Sequence, residues 1–190
     1  NYLYELLTTT PNDPQFTGNN QDGLTANPTY GINVPTAWQY TVGNPNIKIG
    51  VFDSGINYNH EDLGGGNFST SKVAGGKDYR NSGVQISTVS NPDDDGHGSA
   101  CAGIIGALSN NGKGVSGITG GDMSTSNMGS PLYAMKIFDA SGFATLTDIG
   151  NALIEGVTYN PITGYGYRQN VTSHSWGGPV SAVTLANGVN

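Results

Sequence analysis

At 190 residues the chain has room for one domain with a hydrophobic core. Only 35% of it is apolar, and 30 glycines with 9 prolines signal many tight turns, yet the apolar residues fall in compact blocks (47–52, 133–138), which excludes a disordered chain. A formal net charge of −7 without any Lys/Arg cluster excludes nucleic acid and anionic lipid as partners, and no apolar stretch approaches the ~20 residues of a membrane span.

In chain order, residues 1–30 are polar and rich in turn formers (Pro11, Asn12, Asp13, Pro14), which predicts an extended arm over a surface. Residues 36–40 suit one helical turn led by Pro35. The run Ile47-Lys48-Ile49-Gly50-Val51-Phe52 predicts a strand buried on both faces, as in a parallel sheet. A second strand is expected at 72–79, then a glycine-flanked loop ending in Asp93-Asp94-Asp95-Gly96, read as solvated. Small apolar residues over 98–108 predict a helix packed tightly on a sheet, and 132–138 the next strand. Leu146, Ile149, Leu153 and Val157 form a helical stripe within 145–159. A last strand is expected at 170–175, followed by a turn at Gly177-Gly178-Pro179 and an interrupted helix at 181–190. Strands alternating with helices imply right-handed βαβ units, hence an α/β fold with a mostly parallel sheet. No repeat or linker divides the chain, which predicts one domain over 1–190 with 1–30 as its arm. Cys101 has no disulfide partner and reads as a buried free thiol. Scarce lysine among abundant Asn, Thr, Ser and Gly suits a secreted protein, and a start at Asn1 without Met or signal peptide reads as a cut end.

Two residues stand where chemistry is expected. Asp53 follows the first buried strand, and in open α/β sheets ligands bind beyond the carboxyl ends of strands. His97 opens the predicted helix. A strand end beside a helix start can bring carboxylate and imidazole within hydrogen-bond reach, fixing the tautomer and stabilising the imidazolium.

Around this pair the chain resembles the subtilisin-like serine proteases, the subtilases. Their pattern is a hydrophobic strand ending D-[ST]-G, then H-P-D-L, then H-G-T-x-x-A-G on a helix, then a strand ending S-x-G-G. Here stand Asp53-Ser54-Gly55, His60-Glu61-Asp62-Leu63, His97-Gly98-Ser99-Ala100-Cys101-Ala102-Gly103 and Ser175-Trp176-Gly177-Gly178, in that order. Pro11-Asn12-Asp13-Pro14 and Cys101 are similar to the thermitase-like branch. The resemblance implies a three-layer α/β/α sandwich, incomplete at its C-terminus, and a secreted, monomeric endopeptidase with His97 as general base and Asp53 as its orienter. It implies an extended polypeptide substrate gripped by Gly142, Phe143 and Ala144 on one side and Ser175, Trp176 and Gly177 on the other. It also implies a structural Ca²⁺ held by Asp13, Asp62, Leu108, Asn111, Lys113 and Val115, several through carbonyls, with the Lys113 ammonium a departure. His174, where the family has an apolar residue, reads as structural.

The family's nucleophile lies in G-T-S-x-A on a later helix, and that motif is absent. Ser99 is too close to His97 along the helix, Ser175 matches a substrate-binding position, and Ser54 adjoins Asp53, so residues 1–190 alone are expected not to cleave peptides. A second reading is therefore a non-catalytic, calcium-stabilised peptide-binding module, against which the retained Asp–His pair counts. A metal-dependent hydrolase lacks a second His at ligand spacing. Asn67 and Asn170 open glycosylation sequons, the latter on a strand expected to be buried and so unmodified.

Overall fold

The structure is a computed structural model that describes residues 10–18, 20–69, 72–81, 83–88, 92–162 and 166–177. The predicted helix at 181–190, Gly178 and Pro179 lie outside the described residues. The described chain forms a five-stranded, mostly parallel sheet of order β3-β2-β4-β1-β5, with β1 at Ile49–Asp53, β2 at Val73–Asp78, β3 at Val84–Gln85, β4 at Leu132–Lys136 and β5 at Val171–Ser173. Four helices accompany it: α1 Pro14–Thr17, α2 Val34–Trp38, α3 His97–Gly106 and α4 Leu146–Val157. Every residue of β1 is buried, as its unbroken apolar run requires. β5 lies parallel to β1, with Ile49 opposite Val171 and Val51 opposite Ser173, while β2 and β3 are antiparallel. No described helix is long and apolar enough to cross a membrane.

The chain divides into two compact units. The first comprises Asn1–Ile47, Tyr58–Ala74 and Ala102–Leu132. Its core gathers Phe16, Leu24, Val34, Trp38 and Val42, with Ile118 packed against them. The Trp38 indole N–H donates to Ile118 O at 2.9 Å, which satisfies the polar end of a buried ring. Within residues 10–18 and 20–30, the described part of the predicted arm, the segment is mostly exposed but anchored at Phe16 and Leu24. α1 and a 3₁₀ turn at Asp22–Leu24 fold Phe16 and Leu24 into this core, because two apolar residues eight apart suffice to anchor an otherwise polar segment. Lys72 is fully buried here, donating through Nζ to Thr119 O and Met128 O, both at 2.7 Å, and burial pulls its pKa down to about 7.

The second unit comprises Lys48–Asn57, Gly75–Cys101 and Tyr133–Asn190. Phe52, Tyr79, Met135, Ile137 and Ala152 form its core. α4 begins with Thr145 as N-cap, its hydroxyl accepting from Asp148 N at 3.1 Å. The buried face of α4 differs from the predicted stripe: Ala152, Glu155 and Gly156 face inward with Ile149 partly covered, whereas Leu146, Leu153 and Val157 are exposed. Glu155 goes inward because the Lys77 ammonium and the Tyr79 hydroxyl, the latter at 3.1 Å, donate to its carboxylate. β5 is also more open than expected. Asn170, Val171 and Thr172 are exposed, so burial gives no reason for the second sequon to be masked.

Candidate active site

The site is built within the second unit. β1 is buried and without a polar side chain up to Phe52, and Asp53 stands at its carboxyl end, where ligands of open α/β sheets bind. Gly55 then turns the chain at φ +118, where a Cβ would strike Pro92 O at 1.9 Å, so the third residue of Asp53-Ser54-Gly55 must be glycine. His97 is the first residue of α3, and the next residue, Gly98, packs directly on the strand end. A Cβ on Gly98 would lie 2.1 Å from Gly55 O and 3.1 Å from the Asp53 Cβ. This close approach puts His97 Nδ1 2.7 Å from Asp53 Oδ1.

The two partners have contrasting surroundings. Asp53 is 2% exposed, and its Oδ1 also accepts from Ser54 N at 2.7 Å, while Oδ2 is buried without a hydrogen-bond partner among the described residues. The His97 side chain is 51% exposed. The hydrogen bond to Asp53, reinforced by its charge, raises the His97 pKa, with Asp95 and Asp93 adding to the rise and slight burial opposing it. With Nδ1 committed to the carboxylate, Nε2 is the nitrogen left for proton exchange. Cys101, one helical turn on, is only half-buried rather than buried as expected, and its Sγ lies 4.0 Å from both ring nitrogens. Asp53, His97 and Cys101 each place a donor atom within 4.8 Å of the others. Ligands of a tetrahedral zinc ion stand about 3.3 Å apart, so the 2.7 Å Asp53–His97 contact is a hydrogen bond rather than half of a metal site.

A cleft of about 190 Å³ opens beside the pair, lined by Asp53, Ser54, Asp95, His97, Phe138, Asp139, Gly142, Trp176 and Gly177. Both expected grip segments therefore reach it. The Trp176 indole N–H donates to Phe52 O at 2.7 Å, and its ring meets Phe138 edge-on at 5.6 Å between centroids. Phe143 is 65% exposed, so it is no core residue. The Asp139 carboxylate accepts from Ser141 N at 2.8 Å and Phe143 N at 3.1 Å, which shapes the turn that presents Gly142. Phe143, Ala144 and Ser175 do not line the cleft. His174 stacks on Phe52 at 4.7 Å, and burial lowers its pKa, in keeping with a structural role.

The aspartate run is solvated only at Asp95; Asp93 and Asp94 are half-buried. Asp94 pairs with Lys136 and, at 2.8 Å, with Arg80; burial would raise its pKa, but these donors hold it below the usual carboxylate range. Asp93 is half-buried and likewise depressed, because hydrogen bonds from Ser99 and Ser54 outweigh its burial. Sequence reading passed over Asp93. Its partner Ser54 stands 39 residues away, so nothing in the residue order singles Asp93 out.

Asp13, Asp62, Leu108, Asn111, Lys113 and Val115, the residues expected to hold a cation, all lie within the first unit. Asp13 and Asp62 are both fully buried. Asp13 accepts from the backbone N–H groups of Asn110 at 2.8 Å and Asn111 at 3.0 Å and from the Ser116 hydroxyl, and Asp62 from Val115 N and Asn111 Nδ2, both at 2.8 Å. Burial raises the Asp62 pKa, the Val115 and Asn111 hydrogen bonds counter it, and the charge of Asp13 adds to the rise. Neither carboxylate has a Lys or Arg salt-bridge partner among the described residues, whereas Lys113 turns outward to Glu61 at 3.3 Å. Two buried like charges around one loop fit a hard divalent cation, and the Lys113 ammonium is out of its way.

Residues 44–188 match the model of the subtilase family. The chain belongs to the subtilase family. It is 35% identical over 185 residues to thermitase of Thermoactinomyces vulgaris, covering 95% of this chain and 53% of that protein. It is 30% identical over 190 residues to the thermophilic serine proteinase of Bacillus sp. strain AK1, covering all of this chain and 39% of that one. This subtilase chain thus spans about half or less of these relatives. A solved protease structure from Pseudoalteromonas arctica PAMC 21717 superposes with a TM-score of 0.64 at 24% identity over 94% of this chain and 54% of its own, which confirms the α/β fold.

Proposed function

We propose that this chain is the N-terminal part of one serine endopeptidase catalytic domain and supplies its base, its orienting carboxylate and much of its substrate cleft. The observation that carries the reading is the 2.7 Å bond between buried Asp53 and exposed His97 at the mouth of a cleft. In this reading the Asp53 carboxylate holds His97 with Nδ1–H toward it. Nε2 takes the proton of a serine hydroxyl as that oxygen attacks the scissile carbonyl, then gives it to the leaving amine. The serine comes from polypeptide beyond these residues, as the family's G-T-S-x-A motif is absent here. Gly142–Ala144 and Ser175–Gly177 grip an extended polypeptide, with Phe143 and Trp176 favouring apolar side chains. A Ca²⁺ held by Asp13, Asp62, Asn111 and carbonyls of Leu108, Lys113 and Val115 stabilises the first unit and takes no part in the chemistry. The site of action is extracellular; one relative, 33% identical over 159 residues, is the minor extracellular protease Epr of Bacillus subtilis.

The natural full-length protein should be treated with a fluorophosphonate and its intact mass measured. One adduct, lost in a His97→Ala variant, is the expected outcome. No adduct on folded protein refutes the protease reading and leaves a peptide-binding module. Asp53→Asn should cut kcat by about 10⁴-fold, as loss of the orienting carboxylate does in triad proteases. Because Asp53 raises the His97 pKa and only neutral His97 can act as base, the acid limb of the wild-type rate profile should lie above the ordinary imidazole value and move down in this variant.

A further inference from the structure

The Asp53–His97 contact joins two segments 44 residues apart, and neither side chain holds the other's backbone in place. A third carboxylate does. Asp93 Oδ1 accepts from the Ser54 hydroxyl at 2.8 Å and from Gly96 N at 3.0 Å. Its Oδ2 accepts from Ser99 N at 2.8 Å and from the Ser99 hydroxyl at 2.5 Å. Each hydroxyl is used twice: Ser54 Oγ also accepts from Gly98 N at 2.9 Å, and Ser99 Oγ from Asn57 N at 2.8 Å. Gly55 and Asp93 further pair as an isolated β-bridge. One half-buried anion thus gathers the residue after Asp53 and the residue two after His97, and it satisfies the Ser99 amide in the first turn of α3, which has no helical acceptor, and the Gly96 amide just before the helix.

We propose that Asp93 is a positioning residue of the active site, clamping the β1 end to the α3 start through Ser54 and Ser99 so that Asp53 and His97 stay in contact. The proposal rests on the reading of His97 as a base only for its kinetic consequence. Hydrogen bonds to an ionised group are about twice as strong as neutral ones, so four on one carboxylate make a stiff joint. The groups facing His97 are Asp53 from β1, Asp93 and Asp95 from the preceding loop, and the Cys101 thiol from α3. Removing the Asp93 charge alone would lower the His97 pKa, so the clamp must be tested by variants that keep that charge.

Ser54→Ala, Ser99→Ala, Ser99→Thr and Asp93→Asn should be made in the natural full-length protein. The imidazole midpoints of His97, His60 and His174 are then followed by NMR titration, together with kcat and KM against pH. Both alanine variants and Asp93→Asn should shift His97 downward while His60 and His174 stay fixed. Ser99→Thr, which keeps the hydroxyl, should match wild type. A displacement near 1 Å costs about a hundredfold in rate, so kcat should fall by that factor with KM little changed and the acid limb moved to lower pH. An unmoved His97 midpoint in both alanine variants overturns the clamp, whether or not Asp93→Asn folds. If wild type hydrolyses nothing, the protease reading fails and the titration still decides the clamp.

Discussion

Replacing Lys72 with methionine isolates the energetics of a buried ammonium. Lys72 has no exposed surface, and its pKa of about 7 lies well below the ordinary lysine value near 10.5. Between those values the unfolded chain keeps the proton and the native chain does not, so stability rises with pH. The linkage slope approaches about 1.4 kcal/mol per pH unit, and integrating it from pH 7 to 9 gives roughly 2 kcal/mol. Below pH 7 the native state carries the charge, and the full cost of burying it is felt. Methionine fills similar volume without titrating, and the loss of a donor to Thr119 O and Met128 O is the same at every pH. Denaturant unfolding of both proteins, followed by circular dichroism from pH 6 to 9.5, should therefore give a stability difference that moves in favour of wild type by about 2 kcal/mol between pH 7 and 9. A difference that stays flat across that window refutes the reasoning, because it would mean that the two carbonyls hold the ammonium charged throughout.

Gly98→Ala should cut the turnover of the full-length protein by at least about a hundredfold, since its methyl group would sit 2.1 Å from Gly55 O and drive α3 off the strand end; steady-state kinetics reads the loss. Glu155→Ala should lower stability by about 3 kcal/mol, the low end for breaking a buried pair, because Lys77 keeps some solvent access; thermal melts test it. Calcium at a hundred times its dissociation constant should add about 2.7 kcal/mol of stability, and Asp62→Asn should abolish that increment in melts with and without chelator, since the variant keeps the shape of a buried ligand and loses its charge.

Much of this was legible in the residue order, and particular elements show why. The strand ending at Asp53 and the helix opening at His97 emerge within a residue or two of expectation, because an unbroken apolar run and a small-residue block leave few alternatives. Thr145 caps α4 with Asp148 three residues on, a signature visible in sequence. The face of α4 was not legible. Periodicity ranks Leu153 and Val157 above Glu155, and only the distant Lys77 and Tyr79 reverse that order. The aspartate run failed in the same way at two of its three residues: Asp93 and Asp94 read as solvent-loving until Ser54 and Ser99, and Arg80 and Lys136, are brought to them by the fold. Lys113 raised an objection to a cation site that its contact with Glu61 removes.

The compactness of the Asp53–His97 joint also sets an order of events in time. The side chains that tie the two segments directly, from Ser54 through Asp93 to Ser99, lie within residues 53–99. Chains leave the ribosome amino end first and fold as they emerge. The residues of the joint are therefore all synthesised before β4, whose end holds Asp53 O through Ile137 N at 2.8 Å, and before Trp176, so the pair must wait for later residues to steady the strand that carries Asp53.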